Sequence, residues 1–295
     1  MTDFPKHRPF PSAEEDARAA KICVKNPQTE SPAYRLAYLD AEFMLQDALR
    51  PVRLQLELLK PELEQQAAGI ESTVVVFGSA RILEPTIARE RCDAARNATE
   101  QSPADEDLAR QYKQARRAVE NANYYEEARR FAELLSRQGE KNAACKLVVI
   151  TGGGPGIMEA ANRGAYDAGA KSIGLNIVLP AEQAPNPYIT PELCFQFHYF
   201  AIRKMHFLLR AKALVVFPGG FGTLDELFDA LTLVQTQKAK RMPILLFGKD
   251  YWQKIINFEA LLEEGMISAQ DLGLLRYVET AEDACQEIID FYRQR

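Results

Sequence analysis

Short apolar runs rich in β-branched residues recur along the chain from residue 73 onward. Such unbroken runs are typical of strands that are buried on both faces of a parallel sheet. They cover residues 73–78, 146–151, 172–178, 213–217 and 243–248. Stretches with a helical pattern follow them, over residues 156–168, 202–210, 223–235, 251–263 and 281–292. This alternation predicts an α/β fold, a Rossmann-like doubly wound parallel sheet with helices on both faces.

The chain before residue 72 has a different pattern. Residues 1–32 are rich in proline and charge and have no apolar period, which predicts a mobile arm. Residues 33–71 have apolar residues at helical spacing, and Pro51 and Pro61 interrupt them. Because proline lacks a backbone donor and clashes with the preceding turn, we expect two short helices in this N-terminal helical extension. Residues 72–295 then form the main domain.

A long polar segment separates the first two predicted strands. Residues 84–138 are dense in Arg, Glu, Ala and Gln, and good helix formers dominate after Pro103. One or two long helices with a solvated, charged face are therefore expected as an insertion in the main domain.

The composition argues against several classes of protein. The 36 Lys and Arg against 41 Asp and Glu leave a net charge of −5, so no global basic field is available for nucleic acid or an anionic membrane. No apolar run approaches the roughly 20 residues that span a bilayer, and the amino terminus lacks a secretory signal. The cysteines are scattered without metal-ligand spacing, which argues against a metal site and favours a cytoplasmic location. They are Cys23, Cys92, Cys145, Cys194 and Cys285.

Two glycine-rich turns, each between a strand and a helix, are the main candidates for chemistry. They read Thr151-Gly-Gly-Gly-Pro-Gly-Ile-Met158 and Phe217-Pro-Gly-Gly-Phe-Gly-Thr-Leu-Asp-Glu226. Glycines let a ligand approach the main-chain N–H groups, and a helix start adds unpaired N–H donors, so both turns are candidate phosphate sites. Thr223 could both cap the second helix and offer its hydroxyl to a phosphate.

Neither turn matches a common nucleotide fingerprint. In the first turn Ile157 replaces the third glycine of a dinucleotide-binding loop, and the next strand ends without an acidic residue. Gly-Lys-Ser and Gly-Lys-Thr do not occur, which argues against a triphosphate hydrolase.

Glu226 and Arg203 are the candidate reactive groups. Glu226 follows Thr223 by three residues, so the two side chains share one face of a helix beside the predicted phosphate site. Arg203 could neutralise a phosphate or orient Glu226. The structural alternatives are that Glu226 only complements the helix dipole and that Arg203 and Lys204 form an exposed pair.

These motifs resemble the LONELY GUY (LOG) family of cytokinin riboside 5′-monophosphate phosphoribohydrolases. The stretch from Pro218 to Glu226 matches the family signature P-G-G-x-G-T-x-x-E, and Arg203-Lys204 matches the pair that precedes it. The resemblance covers residues 73–248 and departs from small members at 200–202, where Phe-Ala-Ile replaces Met-His-Glu. Many members carry the label lysine decarboxylase, but the sequence offers no convincing Schiff-base lysine.

The resemblance implies an enzyme that hydrolyses the N-glycosidic bond of a nucleoside 5′-monophosphate, cytokinin riboside monophosphate or AMP, without cofactor or metal. Glu226 and Arg203 are then catalytic. The length of the chain points to a longer bacterial branch and the family to a homodimer or higher homo-oligomer. A nucleotide-binding sensor or carrier and a base-exchange enzyme are the alternatives. The expected substrate-binding residues are Gly219, Gly220, Gly222, Thr223, Lys204, Gly152, Gly153, Gly154, Gly156, Met158 and Ser79.

Overall fold

A computed structural model describes residues 10–141, 147–180 and 184–293. Cys145, Lys146 and the first nine residues of the predicted arm lie outside the described residues. The strands are β1 (Thr73–Phe77), β2 (Val148–Thr151), β3 (Ser172–Ile177), β4 (Cys194–Phe197), β5 (Ala211–Val216), β6 (Ile244–Phe247) and β7 (Leu275–Val278).

Helices connect these strands and also precede them. The first seven are α1 (Ala13–Ala19), α2 (Pro27–Glu30), α3 (Ala41–Met44), α4 (Arg50–Ala67), α5 (Pro85–Gln101), α6 (Glu106–Asn121) and α7 (Asn123–Lys141). The others are α8 (Ile157–Asp167), α9 (Phe200–Leu209), α10 (Phe221–Gln235), α11 (Lys249–Ile255), α12 (Phe258–Glu263), α13 (Ala269–Leu272) and α14 (Ala281–Arg293).

Among the described residues the strands form one parallel sheet of seven, in the order β4-β3-β2-β1-β5-β6-β7. The chain builds outward from β1 to β4 and then returns to place β5 on the other side of β1. The order therefore reverses between β1 and β5, and ligands of open α/β sheets bind outside the carboxyl ends of the strands at such a point.

Both faces of the sheet are covered by helices. One buried cluster joins the sheet to α7, α8 and α14, and includes Phe131, Ala161 and Ile288. The other joins it to α9, α10 and α11 through Phe207 and other side chains. The predicted doubly wound α/β fold is confirmed.

The outermost strands, β4 and β7, were not predicted from the pattern. Each has a broken burial pattern, because each pairs with one neighbour only and keeps polar residues among the apolar ones. A search for continuous apolar runs finds central strands and misses such edges. The helix predicted over residues 251–263 is in fact two helices, α11 and α12.

The prediction of two short helices in the N-terminal extension is wrong for residues 50–67. They form the single helix α4, with Pro51 in its first turn and Pro61 inside it. Proline costs nothing in a first turn, since those N–H groups have no helical partner. Pro61 is buried, so packing of its ring offsets the hydrogen bond that it removes.

The polar segment after β1 holds three helices instead of one or two. Helices α5 and α6 expose most of their surface, as predicted for an insertion. Helix α7 is a core element, with Tyr125, Ala128 and Phe131 buried against the sheet side of the molecule. Charged residues lie between these apolar ones at helical spacing. The overall composition of the segment is therefore polar although one face of α7 is buried.

The chain divides into two compact units, residues up to Glu57 and residues from Leu58 onward. In the first unit, the described part of the predicted arm contains α1 and α2, and the Tyr38 hydroxyl donates to the Ala13 carbonyl (2.9 Å). The predicted boundaries after residues 32 and 71 stay predictions. Within the described ranges, no helix combines the length and the apolar character that a membrane crossing requires.

Candidate active site

The start of α10 presents open backbone donors at the carboxyl end of β5. Gly220 is the N-cap residue and has no side chain to bond the first N–H groups of the helix. Gly220 and Gly222 are exposed, and a methyl group on either would meet no atom within 4 Å. This turn therefore leaves the space and the donors that an anion needs.

Thr223 lies in this turn, but not as the predicted cap. The helix begins at Phe221, so Thr223 is its third residue, and its side chain is buried. A methyl group on Gly219 would collide with the Thr223 side chain, so the two residues pack directly together. The capping prediction is wrong because the extended backbone of Gly220 starts the helix earlier. The role of the hydroxyl toward a phosphate stays a prediction.

The first glycine turn ends β2 and leads into α8. Gly153 and Gly156 have φ angles of 78° and 71°, a left-handed conformation that favours glycine. Gly156 also lies against the backbone of Ser79, and a methyl group on Gly154 would come within 2.9 Å of the Met158 side chain. The turn is thus tightly packed, and its shape depends on its glycines.

Ser79 joins the two glycine turns. Its N–H donates to the Pro218 carbonyl (3.0 Å), and its carbonyl accepts from the N–H of Ile157 (3.2 Å). Ser79 follows β1, which lies between β2 and β5, so one residue at the switch point ties both turns to the centre of the sheet. The structure therefore brings together the two motifs, which lie about 60 residues apart in the sequence.

Arg203 lies between the first turn and Glu226. Its Nε donates to the Leu175 carbonyl (2.6 Å), and its guanidinium stacks over the Phe207 ring (5.0 Å to the centroid). A methyl group on Gly152 would come within 2.7 Å of Arg203 Nη2, so the absence of a side chain there makes room for the guanidinium. Arg203 is thus mostly buried, so it does not belong to an exposed pair with Lys204, which was the structural alternative.

Glu226 is buried and forms an ion pair with Arg203, with Nη1 and Oε1 3.9 Å apart. Burial raises the pKa of Glu226 to about 7, against the opposing effect of the positive charges of Arg203 and Lys204. Burial also lowers the pKa of Arg203, and Glu226 opposes that shift. The carboxyl group is therefore held near its titration point at neutral pH, as suits a group that exchanges or stabilises charge.

Lys204 points toward a different partner. Its Nζ lies 2.8 Å from a carboxylate oxygen of Asp225, which is exposed in the first turns of α10. Desolvation lowers the pKa of Lys204, but the hydrogen bond to Asp225 and the charges of Glu226 and Asp229 outweigh it, so the net pKa is raised. Lys204 is accordingly a fixed positive charge at the edge of the site.

Tyr251 is a site residue that the sequence did not indicate. Its hydroxyl donates to the Gly219 carbonyl (2.6 Å) from helix α11, which follows the neighbouring strand β6. The sequence feature that could have indicated Tyr251 is its position three residues after Gly248, which follows the central strand β6. Among the described residues, no cluster of three His, Cys, Asp or Glu side chains could hold a metal ion.

Comparison with known proteins shows which proteins this chain is similar to. Residues 158–288 match a family model described as "Possible lysine decarboxylase". The chain is 25% identical over 155 residues to "Probable cytokinin riboside 5'-monophosphate phosphoribohydrolase LOGL3" of Oryza sativa subsp. japonica, which covers 49% of this chain and 68% of that protein. It is 26% identical over 148 residues to "Cytokinin riboside 5'-monophosphate phosphoribohydrolase LOG4" of Arabidopsis thaliana, covering 49% and 67%. Over about half of its length, the chain is therefore similar to LONELY GUY proteins.

The residues that match the family model contain one part of the candidate site. The match begins at Met158 and so contains Arg203, the second glycine turn and Glu226, while Ser79 and the first turn precede it. Among solved structures, the chain resembles "The structure of the molybdenum cofactor binding protein from the phototrophic bacterium Rippkaea orientalis". That likeness has 21% identity and a TM-score of 0.41, and covers 57% of this chain and 88% of the other.

Proposed function

We propose that this protein hydrolyses the N-glycosidic bond of nucleoside 5′-monophosphates, releasing the free base and ribose 5-phosphate. AMP and a cytokinin riboside monophosphate are the substrates to test. The observation that carries the proposal is a buried carboxyl group, Glu226, beside Arg203 and one helical turn after open N–H donors. Both curated relatives bear this activity in their names.

The 5′-phosphate binds at the start of α10 in this proposal. The N–H groups of Phe221, Gly222 and Thr223 and the positive end of the helix dipole stabilise the phosphate charge. Tyr251 holds the Gly219 carbonyl away from that charge. Binding energy from the phosphate then fixes the position of the ribose, so that C1′ lies near the reactive groups.

Glu226 acts on the sugar. As the bond between C1′ and the base nitrogen breaks, positive charge develops on the ribose ring, as in glycoside hydrolysis. The Glu226 carboxylate stabilises this charge and orients or deprotonates the attacking water, whose oxygen bonds to C1′. The bond pair leaves with the base, which takes up a proton. Arg203 favours the ionised form of this carboxyl group and holds it in place.

The decarboxylase description of the family model implies pyridoxal phosphate, and the lysine at this site does not fit that group. A Schiff-base lysine needs a lowered pKa to react as a free amine. Lys204 pairs with Asp225, and the pKa of Lys204 is raised, so the Lys204 amine stays protonated.

A second copy of the chain completes the proposed assembly. Helices α9 and α10 expose large apolar side chains, and side chains of α10 line a shallow cavity of about 430 Å³ together with Lys204 of α9. Exposed large apolar side chains are typical of interaction sites, and in this proposal a second copy of the chain covers them in the predicted homodimer or higher homo-oligomer. The apolar side chains are Phe200, Met205, Leu209, Phe221 and Phe228. A cytoplasmic location stays a prediction.

A substrate panel tests the activity. The protein is incubated with AMP, isopentenyladenosine monophosphate and the matching nucleosides, and ribose 5-phosphate and free base are quantified. Release of both products from the monophosphates but not from the nucleosides supports the proposal. Glu226→Gln is expected to lose about 100-fold or more in kcat. Nucleotide binding without release by the wild type would favour a sensor or carrier, and release at full rate by Glu226→Gln would exclude the assigned role.

A further inference from the structure

A buried asparagine outside both glycine turns holds the first of them. Asn186 lies in the connection between β3 and β4 and is 6% exposed. Its side-chain Nδ2 donates to the carbonyls of Gly153 (3.1 Å) and Gly154 (3.0 Å). Its backbone N–H also donates to the Gly153 carbonyl (2.9 Å). Two successive carbonyl groups of the turn are therefore bound by one residue.

A second buried asparagine supports the first. The Asn162 side-chain oxygen accepts from Asn186 Nδ2 (3.0 Å) and from the Thr151 hydroxyl (2.7 Å), and its Nδ2 donates to the Ser172 hydroxyl (3.0 Å). The Thr151 hydroxyl in turn accepts from the Gly153 N–H (3.0 Å). Since buried hydrogen-bond networks that are fully satisfied have one preferred arrangement, this network defines the shape of the turn.

The direction of these bonds decides which groups of the turn face a ligand. In a trans peptide the N–H points opposite to the carbonyl of the preceding residue. Because the Gly153 carbonyl points at Asn186, the N–H of Gly154 points away from it. The Gly154 carbonyl also points at Asn186, and the next residue, Pro155, has no N–H. The network thus directs the carbonyl groups of Gly153 and Gly154 toward Asn186 and leaves the N–H of Gly154 on the opposite side of the turn.

We propose that Asn186 is a positioning residue, whose side-chain amide holds the carbonyls of Gly153 and Gly154 so that the first glycine turn presents its donor side to the ribose or base. This proposal rests on the proposed function for the identity of the ligand. Asn186 itself touches no substrate in it. Its effect should differ from that on phosphate binding, because Asn186 bonds only the first turn, whereas Tyr251 bonds the Gly219 carbonyl of the phosphate turn.

Two variants and one control test the proposal. Asn186→Asp has the same size but replaces the donor with an acceptor, so it repels the two carbonyls and the Asn162 oxygen. Asn186→Ala leaves the carbonyls without the side-chain donor. Asn257→Asp is the control, because this exposed residue caps α12 through its side-chain oxygen, which a carboxylate retains.

Three measurements are made on each full-length variant. Amide hydrogen exchange of peptides covering residues 151–157 reports the turn itself. Steady-state kinetics with AMP report kcat/KM, and inhibition by ribose 5-phosphate reports the phosphate turn. We expect faster exchange confined to the first turn, a fall in kcat/KM of about tenfold or more, and an inhibition constant within about twofold of wild type. The control should match wild type in all three.

The outcomes separate this proposal from the proposed function. Wild-type exchange and kcat/KM in Asn186→Asp would overturn the positioning role. Faster exchange across the whole sheet in both variants, with equal losses in all readouts, would also overturn it, since Asn186 would then only stabilise the fold. Absence of turnover by the wild-type protein would refute the proposed function. Amide hydrogen exchange of residues 151–157, compared between the Asn186 variants and wild type, would still decide whether Asn186 positions the turn.

Discussion

Replacing the buried carboxyl group should change how stability depends on pH. Glu226 is charged at high pH although its side chain is only 10% exposed, and burial raises its pKa from 4.5 to about 7. A raised pKa means that the folded state binds the proton more tightly than the unfolded state. The associated stability is present below pH 4.5 and is lost as the pH rises to about 7.

The size of the effect follows from the two pKa values. Each tenfold change in proton affinity corresponds to about 1.4 kcal/mol, so the full loss is about 3 kcal/mol. Between pH 5 and pH 8 the expected loss is about 2 to 3 kcal/mol, because part of the titration lies below pH 5. Glu226→Gln cannot ionise and should not show this loss. Any constant cost of leaving Arg203 without its partner cancels between the two pH values.

Urea unfolding followed by tryptophan fluorescence measures the difference. Trp252 is the only tryptophan of the chain and is fully buried in the unit that starts at Leu58, so its emission reports the unit that contains the site. Wild type and Glu226→Gln are compared at pH 5 and pH 8, in buffers without phosphate, which could bind to the start of α10. The advantage of Glu226→Gln over wild type should grow by about 2 to 3 kcal/mol from pH 5 to pH 8.

An exposed glutamate provides the matched control. Glu263 lies at the end of α12, and Glu263→Gln should differ from wild type by the same amount at both pH values. If Glu226→Gln behaves in the same way, the carboxyl group is not desolvated in the folded protein, and the assignment of a poised acid loses its physical basis.

Four further substitutions test the turn and the assembly. Gly219→Ala should lower the free energy of unfolding by about 1 to 3 kcal/mol in urea, because its methyl group collides with Thr223. Gly222→Ala should keep the stability of wild type and raise KM for AMP, since its methyl group lies in open space where the phosphate binds. A loss of stability in Gly222→Ala and a raised KM only in Gly219→Ala would contradict the proposed phosphate site. Tyr251→Phe should cost about 1 kcal/mol and raise KM without lowering kcat, and an unchanged KM would show that the Gly219 carbonyl needs no donor. Phe221→Asp should convert a dimer into a monomer in light scattering, because Phe221 is 93% exposed, and a monomeric wild type would contradict the proposed assembly.

The central part of the fold follows from short-range patterns, and its edges do not. Central strands are buried on both faces, so the sequence alone predicts them as apolar runs. These strands are β1, β2, β3, β5 and β6. Strands β4 and β7 have one neighbour each, and their mixed burial does not differ from that of a loop. Helix α4 continues through Pro61 because of tertiary packing, which no local rule for proline contains.

In the candidate site, the sequence shows the motifs but not the residues that form hydrogen bonds to their backbone. The glycine turns, Arg203 and Glu226 belong to compact motifs, and the geometry brings them together. Asn186 and Tyr251 contact the turns from 32 or 33 residues away, and each is an ordinary polar residue in its own segment. Side chains that bond a backbone carbonyl need no special neighbours in sequence, so spacing carries no signal for them.

The proposed mechanism also fixes the direction in which a bound substrate shifts the pH dependence of turnover. In the free protein, the pKa of Glu226 near 7 should set the acidic limb of kcat/KM, because the carboxylate form is the active one. A phosphate dianion at the start of α10 adds negative charge close to this carboxyl group, which raises its pKa further. The acidic limb of kcat, which reports the complex, should therefore lie at higher pH than that of kcat/KM. Profiles with AMP between pH 5 and pH 9 measure both limbs, and a limb of kcat at the lower pH would place the phosphate away from Glu226.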